Sequence, residues 1–236
     1  MFESLTVIIP ASNETQTLTD TVNGVLASGA YDDISRIVLF LKSKNCPSAE
    51  VSKKLIEESD CKKIEIVIQK TDNYQSAFME IPHLVKSSHF LVLVSDGEMD
   101  PRTIEDLVPI AKEKPHAVVC GSKWHKDSVV ENASFIQAIG SRTINKFAAI
   151  MFGVKATDIF SIFQIYPLEL YKKTNASIAE FTLKPLRLGV EYIEIPTIYK
   201  RENGRESNFN FSGFFKMGLG YLKTIFKVRF IPKDKL

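Results

Sequence analysis

Short β-branched strands alternate with amphipathic stretches through the first half of the chain, and this alternation restricts the fold more than any other feature. Leu5 to Ile9 reads as a strand closed by Pro10, and a helix is expected from about Thr15 to Leu26. Strands follow at Arg36 to Leu41 and Ile64 to Gln69, with helices over Ser48 to Glu58 and Tyr74 to Val85. Phe90 to Val94 is an unbroken apolar run with the character of a strand buried on both faces. The expected fold is α/β, a Rossmann-like, mostly parallel sheet flanked by helices. Ligands of such sheets gather at the carboxyl ends of the strands, where Asn13, Lys42, Gln69 and Asp96 would lie.

The apolar run ends in acid. Ser95-Asp96-Gly97-Glu98-Met99-Asp100-Pro101 spaces three carboxylates at every second residue. On an extended or turning backbone they can converge on one hard cation, which would in turn hold phosphate oxygens. The competing reading is a polar turn in which Asp100 caps a helix that opens with Pro101.

Beyond Pro101 a helix is expected to about Lys112, then a strand from Ala117 to Gly121 with Ser122, Lys123 and Trp124 at its end. Residues 134 to 152 form an amphipathic helix, with Ile136, Ile139, Ile144, Phe147 and Met151 on its apolar side. A helix from about Ala179 to Leu188 stops at Gly189, and Tyr192 to Ile195 with Thr197 to Tyr199 reads as one last strand interrupted by Pro196.

Several function classes are disfavoured. Lys plus Arg is 30 against Asp plus Glu at 28, so no nucleic-acid partner is expected. Cys46, Cys61 and Cys120 have neither disulfide nor metal spacing, as in a reduced cytoplasmic chain, and the four histidines are scattered. Pro10-Ala-Ser-Asn-Glu14 after the first strand is no glycine-rich turn, which argues against a nicotinamide cofactor. The N-terminus shows no leader and no apolar run has membrane-span length, so neither export nor an integral membrane protein is expected.

Six blocks occur in a familiar order: Val7-Ile-Ile-Pro-Ala-Ser-Asn-Glu14, Val94-Ser-Asp-Gly-Glu-Met-Asp-Pro101, Val119-Cys-Gly-Ser-Lys-Trp124, Asp158-Ile-Phe-Ser-Ile-Phe163, Glu194-Ile-Pro196 and Arg201-Glu-Asn-Gly-Arg-Glu-Ser-Asn208. Together they resemble family 2 glycosyltransferases of GT-A fold, nearest to the branch of dolichyl- and polyprenyl-phosphate sugar synthases. The resemblance implies inverting transfer from a nucleoside diphosphate sugar to a glycan hydroxyl or a polyprenyl phosphate. It implies a divalent cation, Mg2+ or Mn2+, at Asp96 and Glu98, with Asp100 contributing. Pro10, Ala11, Asn13 and Glu14 match its nucleotide-contacting loop; Lys42, Gln69, Gly97 and Lys123 would complete the donor side. Asp158 is the candidate general base if a hydroxyl attacks, because that hydroxyl must lose a proton. Trp124, Ser161, Arg201, Arg205 and Ser207 fall on the acceptor or phosphate side, where forked guanidinium donors suit phosphate oxygens.

The departures are specific. Leu41-Lys42-Ser43-Lys44 replaces the Asp-rich turn that reads the nucleobase, and Ile162 and Gln164 stand where the polyprenyl branch has Gly and Arg. These favour a glycan acceptor, and they support the alternative of a catalytically silent binding subunit. A sugar-phosphate nucleotidyltransferase is the weaker alternative, for want of a glycine-rich basic loop.

The division expected is a catalytic domain over 1–211 and a basic amphipathic tail over 212–236. That tail carries a net +5, leaving −3 elsewhere. Phe215, Leu219, Leu222 and Phe226 follow helical spacing, so the tail either docks its apolar face on the domain or a partner subunit, or lies peripherally on the cytoplasmic face of a membrane. A homo-oligomer is compatible with the first option.

Overall fold

The structure is a computed structural model and describes residues 1–59, 61–71, 73–201 and 211–232. The chain builds β1 (Leu5–Ala11), α1 (Gln16–Leu26), β2 (Ile34–Leu41), α2 (Pro47–Glu58), β3 (Ile64–Ile68), α3 (Tyr74–Phe78), α4 (Ile81–Leu84) and β4 (His89–Val92). It continues with α5 (Ile104–Glu113), β5 (Val118–Ser122), β6 (Val129–Glu131), α6 (Phe135–Phe152), β7 (Gln164–Pro167), α7 (Leu168–Thr174), α8 (Leu183–Leu188), β8 (Tyr192–Pro196), β9 (Ile198–Lys200) and α9 (Phe211–Phe230). Seven strands form one sheet in the order β3-β2-β1-β4-β7-β5-β8, and β6 pairs with β9 in a small second sheet.

The central strands are apolar throughout because both faces are covered. Val7, Ile9, Ile37 and Leu39 pack under α1, α2 and α5, while Ile8, Val38, Phe40 and Phe90 pack with Tyr166, Tyr171 and Phe181 on the other face. Pro10 does not end β1. The strand runs on to Ala11, paired with Leu41 of β2, while on the other side β4 has ended, so the missing proline N–H costs no ladder bond. The Ser95 hydroxyl takes up the exposed Pro10 carbonyl at 2.9 Å.

Three further sequence expectations are corrected. The helix foreseen over Tyr74 to Val85 is two short pieces, with Pro82 inside the first turn of α4, where its absent N–H is tolerated. The helix foreseen from Ala179 is confined to α8, and α7 was not foreseen. The last strand divides at Pro196 between the two sheets. One strand of the main sheet, β7, is antiparallel to both neighbours, because residues 153–163 cross the carboxyl edge and the chain re-enters the sheet from there. Gln164, at the position of the branch's arginine, is therefore fully buried in β7, where its amide donates to the Thr182 hydroxyl and the Ser161 carbonyl.

A third apolar cluster joins α6, α8 and α9. Ile225 and Val228 are buried against Ala148, Ala149, Ile159 and Leu183, and Lys227 Nζ pairs with Glu180 at 2.6 Å. The tail helix thus docks one stripe on the domain and leaves Leu219, Phe226 and Phe230 exposed. Among the described residues no helix is long and apolar enough to cross a membrane.

Candidate active site

The acidic segment follows β4 at the carboxyl edge. Asp96 Oδ1 accepts the Glu98 amide at 3.1 Å, closing a turn in which Gly97 takes a φ of 75°. A side chain there would be strained, and its Cβ would sit 3.2 Å from Thr17 Cγ2. The segment is then zipped antiparallel to β9: Lys200 N donates to Glu98 O at 2.8 Å and Asp100 N to Ile198 O at 3.1 Å. The Tyr199 hydroxyl donates to Glu98 Oε2 at 2.9 Å. Burial and the adjacent Glu98 push the Tyr199 phenol well above its ordinary value. The last strand thereby fixes where the Glu98 carboxylate lies.

Asp96 and Glu98 line a cavity of about 160 Å³ together with Lys123, Asp158, Ser161 and Tyr199. Asp100 stands outside that lining. Its carboxylate accepts the Arg102 amide at 3.0 Å, capping the 3-10 turn Pro101–Thr103, and pairs with the Arg102 guanidinium at 3.5 Å. Asp100 therefore forms the cap, through Oδ1, while its carboxylate lies outside the cavity that Asp96 and Glu98 line.

Asp158 sits where two cavities meet. It is 2% exposed, lines the acidic cavity, and also lines a second one of about 650 Å³ between α6 and α9, walled by Ile144, Phe147, Phe160 and Leu222. Lys123 is common to both as well. Burial lifts the Asp158 carboxyl from 3.8 to about 6; the Lys123 ammonium and the Lys123 amide, 3.3 Å from Oδ2, oppose the rise, and Glu194 adds to it.

Glu194 was quoted in the sequence only as part of a block, yet it locks the Asp158 backbone. Its carboxylate accepts the Asp158 amide at 2.6 Å, the Thr157 amide at 2.7 Å and the Thr157 hydroxyl at 2.8 Å, while the Tyr192 hydroxyl donates to the Asp158 carbonyl at 2.9 Å. A carboxylate flanked by Ile193 and Ile195 within a strand was the signal available for it. Hydrogen bonds to a charged acceptor contribute about 1.5–3 kcal/mol, so Glu194→Ala is expected to lower stability by ~2 kcal/mol, seen as a lower urea midpoint with unchanged slope.

The remaining candidates are spread along the same edge. Pro10, Ala11, Asn13 and Glu14 form a loop stitched to α2: Glu14 Oε2 accepts the Ser12 and Asn13 amides at 2.7 and 3.0 Å, and the Ser48 hydroxyl donates to the Glu14 carbonyl at 2.7 Å. Lys42 and Gln69 follow β2 and β3, the first exposed, the second donating its amide N–H to Leu41 O at 2.8 Å. None of these six lines either cavity. Trp124 donates to the Ser141 hydroxyl at 3.0 Å, and Arg201 donates to Gln137 Oε1 at 2.7 Å, tying β9 to α6. Arg205 and Ser207 lie outside the described residues.

The family model described as Glycosyl transferase family 2 matches residues 6–174. No curated protein matches the chain. Among solved structures it resembles glucosyl-3-phosphoglycerate synthase from Mycobacterium tuberculosis in complex with UDP, with a TM-score of 0.69 and 13% identity over 98% of this chain and 81% of that one. The same enzyme with Mn2+, UDP and phosphoglyceric acid gives 0.71 and 12% over 98% and 80%. With Mn2+, UDP-glucose and phosphoglyceric acid it gives 0.70 and 12% over 98% and 81%. At such identities the likeness is one of fold.

Proposed function

The chain belongs to glycosyl transferase family 2, and from that premise we propose that this GT-A glycosyltransferase is inverting, moving a sugar from a nucleoside diphosphate sugar to a glycan hydroxyl on an acceptor that also has an apolar portion. The observation that carries the reading is Asp158, buried, titrating near 6 and shared by the acidic and the apolar cavity.

Asp96 and Glu98 would hold a Mg2+ or Mn2+ ion. The donor set fits: Asp96 and Glu98 offer carboxylate oxygens, the hard ligands these ions take, to one cavity. Among the described residues no cluster of three acidic, His or Cys side chains is arranged for a metal, so diphosphate oxygens and water would complete the shell, as these ions prefer. The solved neighbour with Mn2+ and UDP supports this. Such an ion supplies Lewis-acid stabilisation of the departing diphosphate. Lys123 brings a positive charge to the point where the diphosphate and acceptor meet. As the bond from the anomeric carbon to the diphosphate oxygen breaks and the acceptor oxygen bonds to that carbon, Asp158 accepts the hydroxyl proton. A carboxylate titrating near 6 is ionised at pH 7 and more basic than an ordinary aspartate, as a general base requires. The loop from Pro10 to Glu14, with Lys42 and Gln69, is assigned to the nucleoside end, and Trp124, Ser161 and Arg201, with Arg205 and Ser207, to the acceptor and its phosphates.

A second reading, polyprenyl phosphate as the acceptor, draws support from the apolar walls of the larger cavity and from Lys123 at its inner end. Peripheral membrane contact through residues 212–236 belongs with it. Incubation with labelled UDP- and GDP-sugars and Mn2+, offering an alkyl-linked oligosaccharide or a short polyprenyl phosphate, separates the two. Label on the oligosaccharide is expected. Label on the phosphate alone would replace the first reading with the second, and label on neither would reject both.

A further inference from the structure

Across α6 from the apolar cavity lies another groove, of about 550 Å³, lined by Trp124, Arg142, Lys146, Val154, Lys155 and Thr157 among others. Three cations line it and no carboxylate does. Arg142 is stacked on the indole, its guanidinium carbon 4.6 Å from the ring centroid of Trp124. Among the described residues neither Lys146 nor Lys155 enters an ion pair or hydrogen bond, and Arg142 has that stacking contact alone. One carboxylate, Glu194, stands beside the groove, and it is engaged by the Thr157 and Asp158 amides and the Thr157 hydroxyl. α6 and α9, which pack against each other, contain six Lys or Arg between them and no Asp or Glu.

Arg142, Lys146 and Lys155 are exposed along one groove over an apolar floor of Ala149, Val154 and Ala156, three like charges with no counter-charge in the lining. No basic residue of α6 lies in its last turn, so the helix dipole does not account for Arg142 or Lys146. An anion relieves all three. The stacked guanidinium is pre-organised to present forked donors, the geometry that matches phosphate, and two ammonium groups suit its second charge.

We propose that this groove is a phosphate-binding site separate from the acidic cavity, taking a phosphate group carried either by a soluble phosphorylated sugar or by a lipid headgroup. The groove shares Trp124 with the acceptor side proposed above, but its cations, Arg142, Lys146 and Lys155, line neither the acidic nor the apolar cavity. Thr157 lines the groove and is held by Glu194 one residue before Asp158.

Trp124 is the only tryptophan in the chain, so its fluorescence reports on the groove directly. The full chain, without nucleotide or metal, is titrated with inorganic phosphate, with glucose 6-phosphate, and with phosphatidylcholine vesicles with and without phosphatidylglycerol. A saturable, salt-sensitive response is expected, weakened at least tenfold in Lys146→Ala/Lys155→Ala, which keeps Arg142 on the indole. The control Lys53→Ala/Lys62→Ala removes equal charge from the opposite part of the chain and is expected to bind as wild type. A response to the free phosphates identifies a soluble ligand, and a response to phosphatidylglycerol vesicles alone identifies a headgroup. No saturable response to any probe, or equal weakening in both double variants, overturns the proposal. Calorimetric titration of the same variants supplies a readout independent of the indole.

Discussion

Asp158→Asn is expected to lower glycosyl transfer by ~10²–10⁴-fold, the usual contribution of a positioned general base, while raising the stability of the protein. The two effects share one cause. Burial holds the Asp158 carboxyl near 6 instead of 3.8, so at neutral pH the folded state bears the cost of an ionised group that water would solvate better. The rise corresponds to ~3 kcal/mol. The sign follows from proton binding: between about pH 4 and 6 the folded state holds more protons than the unfolded one, so wild-type stability falls as pH rises through that window and stays lower above it. The asparagine amide still accepts from the Lys123 amide but carries no charge, so the variant should lose this pH dependence and melt higher at pH 7. Wild-type kcat/KM should fall below about pH 6 as Asp158 is protonated. A loss of activity of less than tenfold in the variant would favour the polyprenyl phosphate acceptor, which is already ionised and needs no base.

Asp96→Asn is the second large expectation, a loss of ~10³-fold or more in donor turnover with little change in melting temperature. Several kcal/mol of transition-state charge stabilisation are at stake where the diphosphate departs, and each 1.4 kcal/mol is about tenfold in rate. The fold should tolerate the change because asparagine keeps the Oδ1 atom that accepts the Glu98 amide, so the turn through Gly97 survives. Urea denaturation of the variant, run beside the turnover assay, checks the second half of the statement.

The first half of the chain was legible because its signals are local. A strand buried on both faces must be apolar at every position, as Ile37 to Leu41 and Phe90 to Val92 are, and helices between such strands leave little choice of topology. The acidic segment stood out for the same reason, since three carboxylates directly after a buried strand have no place in a core. The second half was harder to read because its elements are set by partners distant in sequence. β6 and β9 are three residues each, too short for any periodicity, and exist because they pair with one another. The antiparallel direction of β7 depends on where residues 153–163 cross the edge. Asp100 illustrates the limit within the site: its spacing from Asp96 and Glu98 suits a ligand, but the cap it forms with the Arg102 amide is a local bond that competes for the same oxygens. Glu194 was missed for the converse reason, because a carboxylate within a strand gives no hint of the backbone amides 36 and 37 residues away that it holds.

The alternative of a silent binding subunit rested on Lys42 and Ile162. Lys42 is exposed beyond β2 and lines neither cavity, whereas Ile162 lines the acidic cavity beside Ser161 and also packs against the aromatic cluster under the sheet. Neither position takes a carboxylate or a cation away from the acidic cavity, where Asp96, Glu98, Lys123 and Asp158 remain for the transfer proposed above.

The central claim is that Asp96 and Glu98 hold a divalent cation and, through it, the donor diphosphate. Thermal unfolding of wild type and Asp96→Asn with UDP, GDP and CDP, each with and without Mn2+, tests it most directly, because a ligand bound by the folded state alone raises the melting temperature. The account predicts that one diphosphate stabilises the wild type only when Mn2+ is present, and that Asp96→Asn loses that stabilisation. Stabilisation without the metal, an equal shift in the variant, or no shift with any nucleotide would contradict it.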